Sequence, residues 1–257
     1  MSKFPYYDDP DFDYKQYWQG RQYEHFSEKI AIEKLLKRAK KKGLKRDRAI
    51  EIGAGYGRLL KIYRRFFKEV VLLEPSGRLL LVAKKEFKND AGVSFIQLRA
   101  EEMAFEPASF DAVLLVRVIH HLVQPELVIK KISRLLKPGG FLILEFANKT
   151  NLRTVLRTIL KLKKRSVDLS PIDRRHQKNN QSIPFFNYHP LWIKRQLRQN
   201  NLKIITKLSV SNLRLVWLKK TFPLDLLLKA ENQLQRPLAK INFGPSLFVL
   251  AQKRAQT

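Results

Sequence analysis

The chain of 257 residues has no cysteine and two methionines. It therefore cannot form a disulfide framework, a thiolate zinc site or a cysteine-ligated iron–sulfur cluster, and it offers no cysteine nucleophile. Long apolar runs are also missing. The longest, such as Ala112 to Val116, are about five residues, against the roughly 20 needed to cross a bilayer, so no membrane span is expected. The opening stretch, MSKFPYYDDPDFDY, is acidic and aromatic rather than basic and then apolar. It does not read as a secretory signal, and a cytoplasmic protein, with peripheral attachment to a membrane as an option, is the expectation. Internal repeats and low-complexity tracts are absent.

Acidic residues are scarce. Against 51 Lys and Arg stand 23 Asp and Glu, a formal charge of +28. Residues 1–150 carry 29 basic and 19 acidic side chains, and the remainder 22 and 4, so most of the excess lies in the C-terminal part. Such a field attracts nucleic acid, anionic lipid headgroups or acidic small molecules, although a solvated surface explains a spread of lysines equally well.

From residue 49, short β-branched runs alternate with helical patterns over about a hundred residues, the rhythm of an α/β domain with a parallel sheet. The runs are AIEI (49–52), VVLLE (70–74), VSFIQL (93–98), FDAVLLV (110–116) and FLILEFA (141–147), nearly continuous in apolar residues as strands covered on both faces should be. Helices are expected to start near Tyr56, Ser76 and Pro125, the last closing at KPGG (137–140). A further helix over 24–42 should precede the first strand. Downstream, residues 151–164 place Leu152, Val155, Leu156, Ile159 and Leu160 opposite Arg153, Arg157, Lys161 and Lys164, a basic amphipathic helix. A helix from Pro190 and two late strands, 202–210 and 245–253, complete the pattern. The expected organisation is a lid and helix over 1–44, a core over 45–150, and a C-terminal half over 151–257 that completes the same sheet, with substrate-side inserts near 151–190 and 211–245.

The AIEI strand runs into Gly53, Ala54, Gly55, Tyr56 and Gly57, the strand and tight turn that let backbone approach a nucleotide-like ligand. A dinucleotide fingerprint would need its third glycine at position 58, which is Arg58. The pattern Glu51, Gly53, Gly55, Gly57 more closely resembles the first motif of class I S-adenosyl-L-methionine (SAM)-dependent methyltransferases. Glu74 ends the second strand, where that resemblance implies a carboxylate accepting both ribose hydroxyls, with Pro75 beside it. LRAEEMAFEPASFDAVLLV is similar to the family's stretch beside the adenine, which places Ala100 and Glu101 there and Asp111 at the start of the fourth strand. The acidic residue expected to accept from the adenine amino group maps to Arg99, which has donors only. Glu101 or a backbone carbonyl then takes that role, or adenine recognition is looser.

The resemblance covers about residues 45–147 and implies a Rossmann-like, doubly wound, mostly parallel seven-stranded sheet with an antiparallel last strand. It implies SAM as cofactor, S-adenosylhomocysteine as product, and Glu51, Gly53, Ala54, Gly55, Gly57, Arg58, Glu74, Pro75, Ala100, Glu101 and Arg117 at the cofactor. His121 and His120, after the fourth strand, are the first candidates for a catalytic base, although either can simply pack under the next helix. Arg21 and Arg117 suit an acidic substrate group. Tyr23, His176 and His189 are further substrate-side candidates, His189 with capping of the Pro190 helix as an alternative. Tyr14, Tyr23 and Trp18 suit closing over the cofactor or stacking on substrate, although aromatics near a terminus more often staple it to the core. No metal site is expected.

Absences narrow the reaction. After the fourth strand stands VRVIHH rather than an Asn/Asp-Pro-Pro-aromatic platform, which argues against methylation of exocyclic base amines. Without cysteine, attack on pyrimidine C6 and radical SAM chemistry are excluded. Methyl transfer to an O, C or aliphatic N atom of a small molecule remains, a lipidic or membrane-associated one among the options. The alternatives are an RNA methyltransferase, motivated by the charge and by Arg174-Arg175, and a non-catalytic SAM-binding protein, motivated by Arg99.

Overall fold

The computed structural model describes residues 14–152, 168–173, 176–178 and 181–255. The basic amphipathic segment expected over 151–164 lies almost wholly outside them, as do Arg174 and Arg175.

Seven strands form one sheet: β1 (Arg48–Ile52), β2 (Glu69–Leu73), β3 (Val93–Ile96), β4 (Phe110–Leu115), β5 (Leu136–Ala147), β6 (Leu202–Val210) and β7 (Ser246–Lys253). Their order is β6-β7-β5-β4-β1-β2-β3. β7 runs antiparallel to both β5 and β6, and every other pairing is parallel. Parallel neighbours need crossovers, and these place helices on both faces. The helices are α1 (Tyr14–Gln19), α2 (Gln22–Lys40), α3 (Leu60–Tyr63), α4 (Gly77–Glu86), α5 (Pro125–Leu135), α6 (Pro190–Gln199), α7 (Val216–Thr221) and α8 (Leu224–Lys240).

The apolar runs are divided between two cores. Along β5, Phe141 and Ile143 face the layer built by Ile32, Leu35 and Leu36 of α2, while Leu142, Leu144 and Phe146 face Val128, Ile129 and Ile132 of α5 and Ile193 and Leu197 of α6. That two-residue alternation buries every position of the run, which is why the sequence shows no polar face. Burying each large aliphatic side chain contributes about 1.5–3 kcal/mol, so the α5 stripe alone holds that helix to the sheet.

Three local expectations are corrected. The turn after β1 does not become a helix at Tyr56: turns run through Leu59, and α3 covers only Leu60–Tyr63 before a 3-10 turn over Arg64–Phe66. Positive φ at Gly53, Gly55 and Gly57 (71°, 58° and 76°) keeps this stretch out of right-handed helical space. α5 closes at Leu135, before KPGG, which belongs to β5, with Gly139 at φ 78°. β3 ends at Ile96, two residues early.

Residues 211–245 do not hang free. α8 lies against α2 and β6 and buries Leu227, Glu231, Gln235 and Ala239. The Glu231 carboxylate accepts from Tyr23 Oη at 2.6 Å and from the backbone N–H groups of Ser211 and Asn212 at 2.9 and 3.1 Å. Among the described residues no helix is long and apolar enough to cross a membrane.

Candidate active site

The carboxyl ends of β1, β2 and β4 surround one cavity, lined by the Gly53–Gly55 turn, Glu74 and Pro75, Arg99 to Glu101, Val116 to Val118, and His121 and Leu122. Its position follows from topology. Strand order reverses between β1 and β4, so the crossovers leave a crevice there. Gly53 has to be glycine for two reasons. Its φ is positive, and a Cβ would stand 2.3 Å from Val118 Cγ2. Gly57 is different: it does not line the cavity, and a Cβ there would press on Phe87 and Leu72 in the core. Its expected place at the cofactor is corrected to a packing position that lets the turn close.

Two carboxylates from neighbouring strand ends face the cavity. Glu74, buried, accepts from Gly55 N at 2.8 Å on one oxygen and from Ser76 N at 3.0 Å on the other. It thereby fixes the glycine turn and caps the entry to α4. Each carboxylate oxygen has further acceptor capacity for a hydroxyl. Glu51 accepts from Tyr63 Oη. Burial pushes its carboxyl up to about 7, opposed by the Tyr63 bond and the Arg58 charge. Arg99 lines the same wall and precedes the 3-10 turn over Ala100–Glu102. Lys131 Nζ donates to the carbonyls of Glu101 (2.5 Å) and Met103 (2.9 Å), which pins that turn to α5.

A buried charge cluster closes the side toward the N-terminal helices. Arg58 Nη2 donates to Glu28 Oε2 at 2.6 Å, and Arg117 Nε to Glu28 Oε1 at 2.7 Å. The two guanidiniums lie over the Trp18 ring at 3.7 and 4.9 Å from its centroid, each within cation–π range. Despite burial, the two arginines hold the Glu28 carboxyl below its ordinary range. Arg58 Nη1 also donates to His25 Nδ1 at 2.6 Å, and burial followed by that charge pushes the imidazole down to about 4. Arg117 has a left-handed φ of 61°, a strained state for a non-glycine residue. Its backbone N–H donates to Glu145 Oε2 at 2.9 Å, so both ends of the residue are held. On α1, Tyr14 reaches the cavity wall, its ring 3.5 Å from where a Cβ on Gly55 would stand.

Opposite this cluster, the 3-10 turn Ile119–His121 meets the segment from Pro184 to Tyr188. His121 Nδ1 donates to the Pro184 carbonyl at 2.8 Å, and Tyr188 Oη to the Ile119 carbonyl at 3.0 Å. Phe185 packs on both histidines, with ring centroids 4.6 and 5.6 Å away. A carbonyl only accepts, so the neutral His121 ring carries its proton on Nδ1 and its lone pair on Nε2. Burial pushes the ring down to about 4, with Arg117 adding to the shift. His120 does not line the cavity. It is buried, its Nδ1 stands 4.0 Å from Glu145 Oε2 without a hydrogen bond, and burial drives its protonation far below the usual range.

Three of the four substrate-side candidates, Tyr23, Arg21 and His189, do not line this cavity. Tyr23 is locked in the α2–α8 interface, donating to Glu231 and accepting from Leu213 N at 2.9 Å. Arg21 is exposed, with its guanidinium 4.2 Å from the Tyr17 ring centroid. His189 caps α6 by accepting from Leu191 N at 3.1 Å. His176 sits on a short strand over 176–178, and its side chain is outside the described residues. Sequence reasoning missed Glu28, whose arginine partners lie 30 and 89 residues away in the chain. It also missed the Pro184–Tyr188 wall, where the only signal was an apolar FF pair in a polar stretch.

The sheet order, the glycine turn and the strand-end carboxylates together define the class I SAM-dependent methyltransferase fold. Residues 50–144 match the family model described as a methyltransferase domain. A ubiquinone biosynthesis O-methyltransferase from Xanthomonas campestris pv. campestris (strain B100) is 31% identical over 105 residues, 40% of this chain and 44% of that protein. The chain thus spans less than half the length of the curated relatives it matches. A SAM-dependent methyltransferase structure from Leishmania major superposes with a TM-score of 0.62 at 14% identity, over 96% of this chain and 80% of that one. One from Methanosarcina mazei gives 0.58 at 15% identity, over 84% and 97%. SAM is the methyl donor named for those structural neighbours, and the residues lining this cavity fit it. Glu74 would offer acceptors to ribose hydroxyls, Glu51 a carboxyl to a cationic group, and Pro75, Leu79 and Leu122 apolar walls to a flat ring.

Proposed function

We propose that the protein is a SAM-dependent methyltransferase acting on a hydroxyl oxygen of a small, largely apolar molecule. Bound SAM supplies a methyl group already activated on a positively charged sulfur. The chain then has to bind, orient and exclude water, which can supply several kcal/mol by positioning alone. The observation that carries the oxygen acceptor is His121. Its ring lines the same cavity as Glu74 and the glycine turn, and the Pro184 carbonyl leaves the lone pair on Nε2. At neutral pH the ring is uncharged, so Nε2 would take up the acceptor's hydroxyl proton as the new C–O bond forms and the methyl–sulfur bond of SAM breaks. The low proton affinity that burial gives the ring would pass that proton on to solvent. Val118, Leu122 and Phe185 make the surroundings of His121 apolar, which suits an aryl or isoprenoid-like body. The O-methyltransferase relatives support the same choice.

The test is methyl transfer from labelled SAM to a panel of hydroxylated aromatic acceptors. His121→Ala should lower kcat by about a hundredfold while SAM affinity is kept. Equal turnover in His121→Ala, or labelling of amines but not hydroxyls, would overturn the oxygen assignment.

A further inference from the structure

The rim formed by α7 and the start of α8 gathers four exposed large apolar side chains within eleven residues. Val216, Trp217, Phe222 and Leu226 are 65, 60, 41 and 52% exposed. The segment does not lack a way to bury apolar side chains, since Leu227 from the same stretch is buried against the body of the protein. Lys220 stands among them and Arg214 and Lys229 flank them, all exposed, and the stretch 213–230 holds a single acid, Asp225. An aromatic and aliphatic strip flanked by lysines is the composition of a surface that lies in a membrane interface, with the lysine stems spanning apolar depth and their heads meeting phosphate.

From this strip we infer that the Val216–Leu226 rim docks on an anionic phospholipid bilayer. Two observations select that occupant. The basic flank and the overall charge of +28 complement an anionic surface. The exposed groups include the aliphatic Val216 and Leu226, which hydrocarbon accepts and a nucleic acid does not, since base stacking uses flat rings. Placement adds a third. Lys219 Nζ pairs with Glu24 at 3.1 Å, and Leu213 N donates to Tyr23, so the rim is fastened to the first turn of α2. The same stretch of α2 supplies His25 and Glu28 to Arg58 and Arg117 at the cavity. A bilayer held by this rim therefore lies beside the cavity wall. Resting on the methyl-transfer reading above, this placement makes the acceptor a membrane-dissolved molecule.

The experiment is co-sedimentation of the full chain with vesicles of phosphatidylcholine alone and of phosphatidylcholine mixed with phosphatidylglycerol, in the absence of SAM. The wild type should bind the mixed vesicles and not the neutral ones. The double variant Trp217→Ser with Phe222→Ser should lose about tenfold in partitioning, and Lys220→Glu with Lys229→Glu should lose as much. SAM titration of both variants should match the wild type, which shows that they fold. Unchanged vesicle binding in the Trp217 and Phe222 variant overturns the proposal. So does a concentration-dependent dimer that this variant abolishes, or RNA binding with no vesicle binding. Because no methyl acceptor enters the assay, its outcome is independent of the catalytic reading. A failure of the hydroxyl acceptor panel with vesicle binding intact would remove only the oxygen assignment.

Discussion

Glu28 and Arg117, 89 residues apart in sequence, form a 2.7 Å ion pair in which the carboxylate side chain is 1% exposed. Arg58 takes the second oxygen. One buried acid thus joins α2, the turn after β1 and the turn after β4, and both guanidiniums lie over the Trp18 ring. Removing one member of such a set leaves buried charge without compensation. We expect Glu28→Gln to cost about 3–5 kcal/mol in urea unfolding and to weaken SAM binding. Unfolding at the wild-type midpoint would show that water already solvates the arginines.

Both oxygens of Glu74 accept from backbone donors that define the glycine turn, and the proposed ribose contact would add a ligand to the same carboxylate. Glu74→Ala should weaken SAM binding by more than tenfold, about 1.4 kcal/mol, by calorimetric titration. An unchanged dissociation constant would remove the ribose contact.

Glu51 sets a pH dependence of two signs. Its carboxyl is raised from about 4.5 to about 7, so the native state holds a proton that the unfolded chain has released. Stability of the free protein should therefore fall as pH rises from 4.5 to 7, by about 3 kcal/mol at most, and Glu51→Gln should flatten that window. A cationic ligand favours the ionised form, so SAM affinity should increase from about pH 6 to 8 and release a proton. Affinity flat in pH, or equally steep in Glu51→Gln, would contradict the assignment.

Gly53 and Gly139 share a positive φ, 71° and 78°, but a Cβ would strike Val118 at the first and nothing within 4 Å at the second. Gly139→Ala should cost about 1–2 kcal/mol, the backbone penalty alone. Gly53→Ala should cost more in thermal denaturation and should also impair SAM binding. Equal losses would mean that Val118 yields freely.

The sheet was legible because strands buried on both faces are apolar at nearly every position, and the runs at 49–52, 110–116 and 141–147 are interrupted only by Glu51, Asp111 and Glu145. The glycine turn and Glu74 were legible because close backbone approach and strand-end carboxylates leave local patterns. The length of α3 was not, since three positive-φ glycines override the propensity of the residues between them. Tyr23 was misplaced because an aromatic near a presumed lid carries no mark of a buried partner 208 residues away. His189, read either as a substrate-side group or as a cap for the Pro190 helix, takes the second role.

The wall that orients His121 comes from residues 184–188, whereas the groups placed to hold SAM lie between Glu51 and Leu122. On the proposed methyl-transfer reading, choice of acceptor and handling of the methyl donor fall in separate stretches of the chain. Drift in a five-residue stretch could retarget the enzyme while leaving the donor half untouched, which makes the Pro184–Tyr188 stretch the natural cassette for redesign.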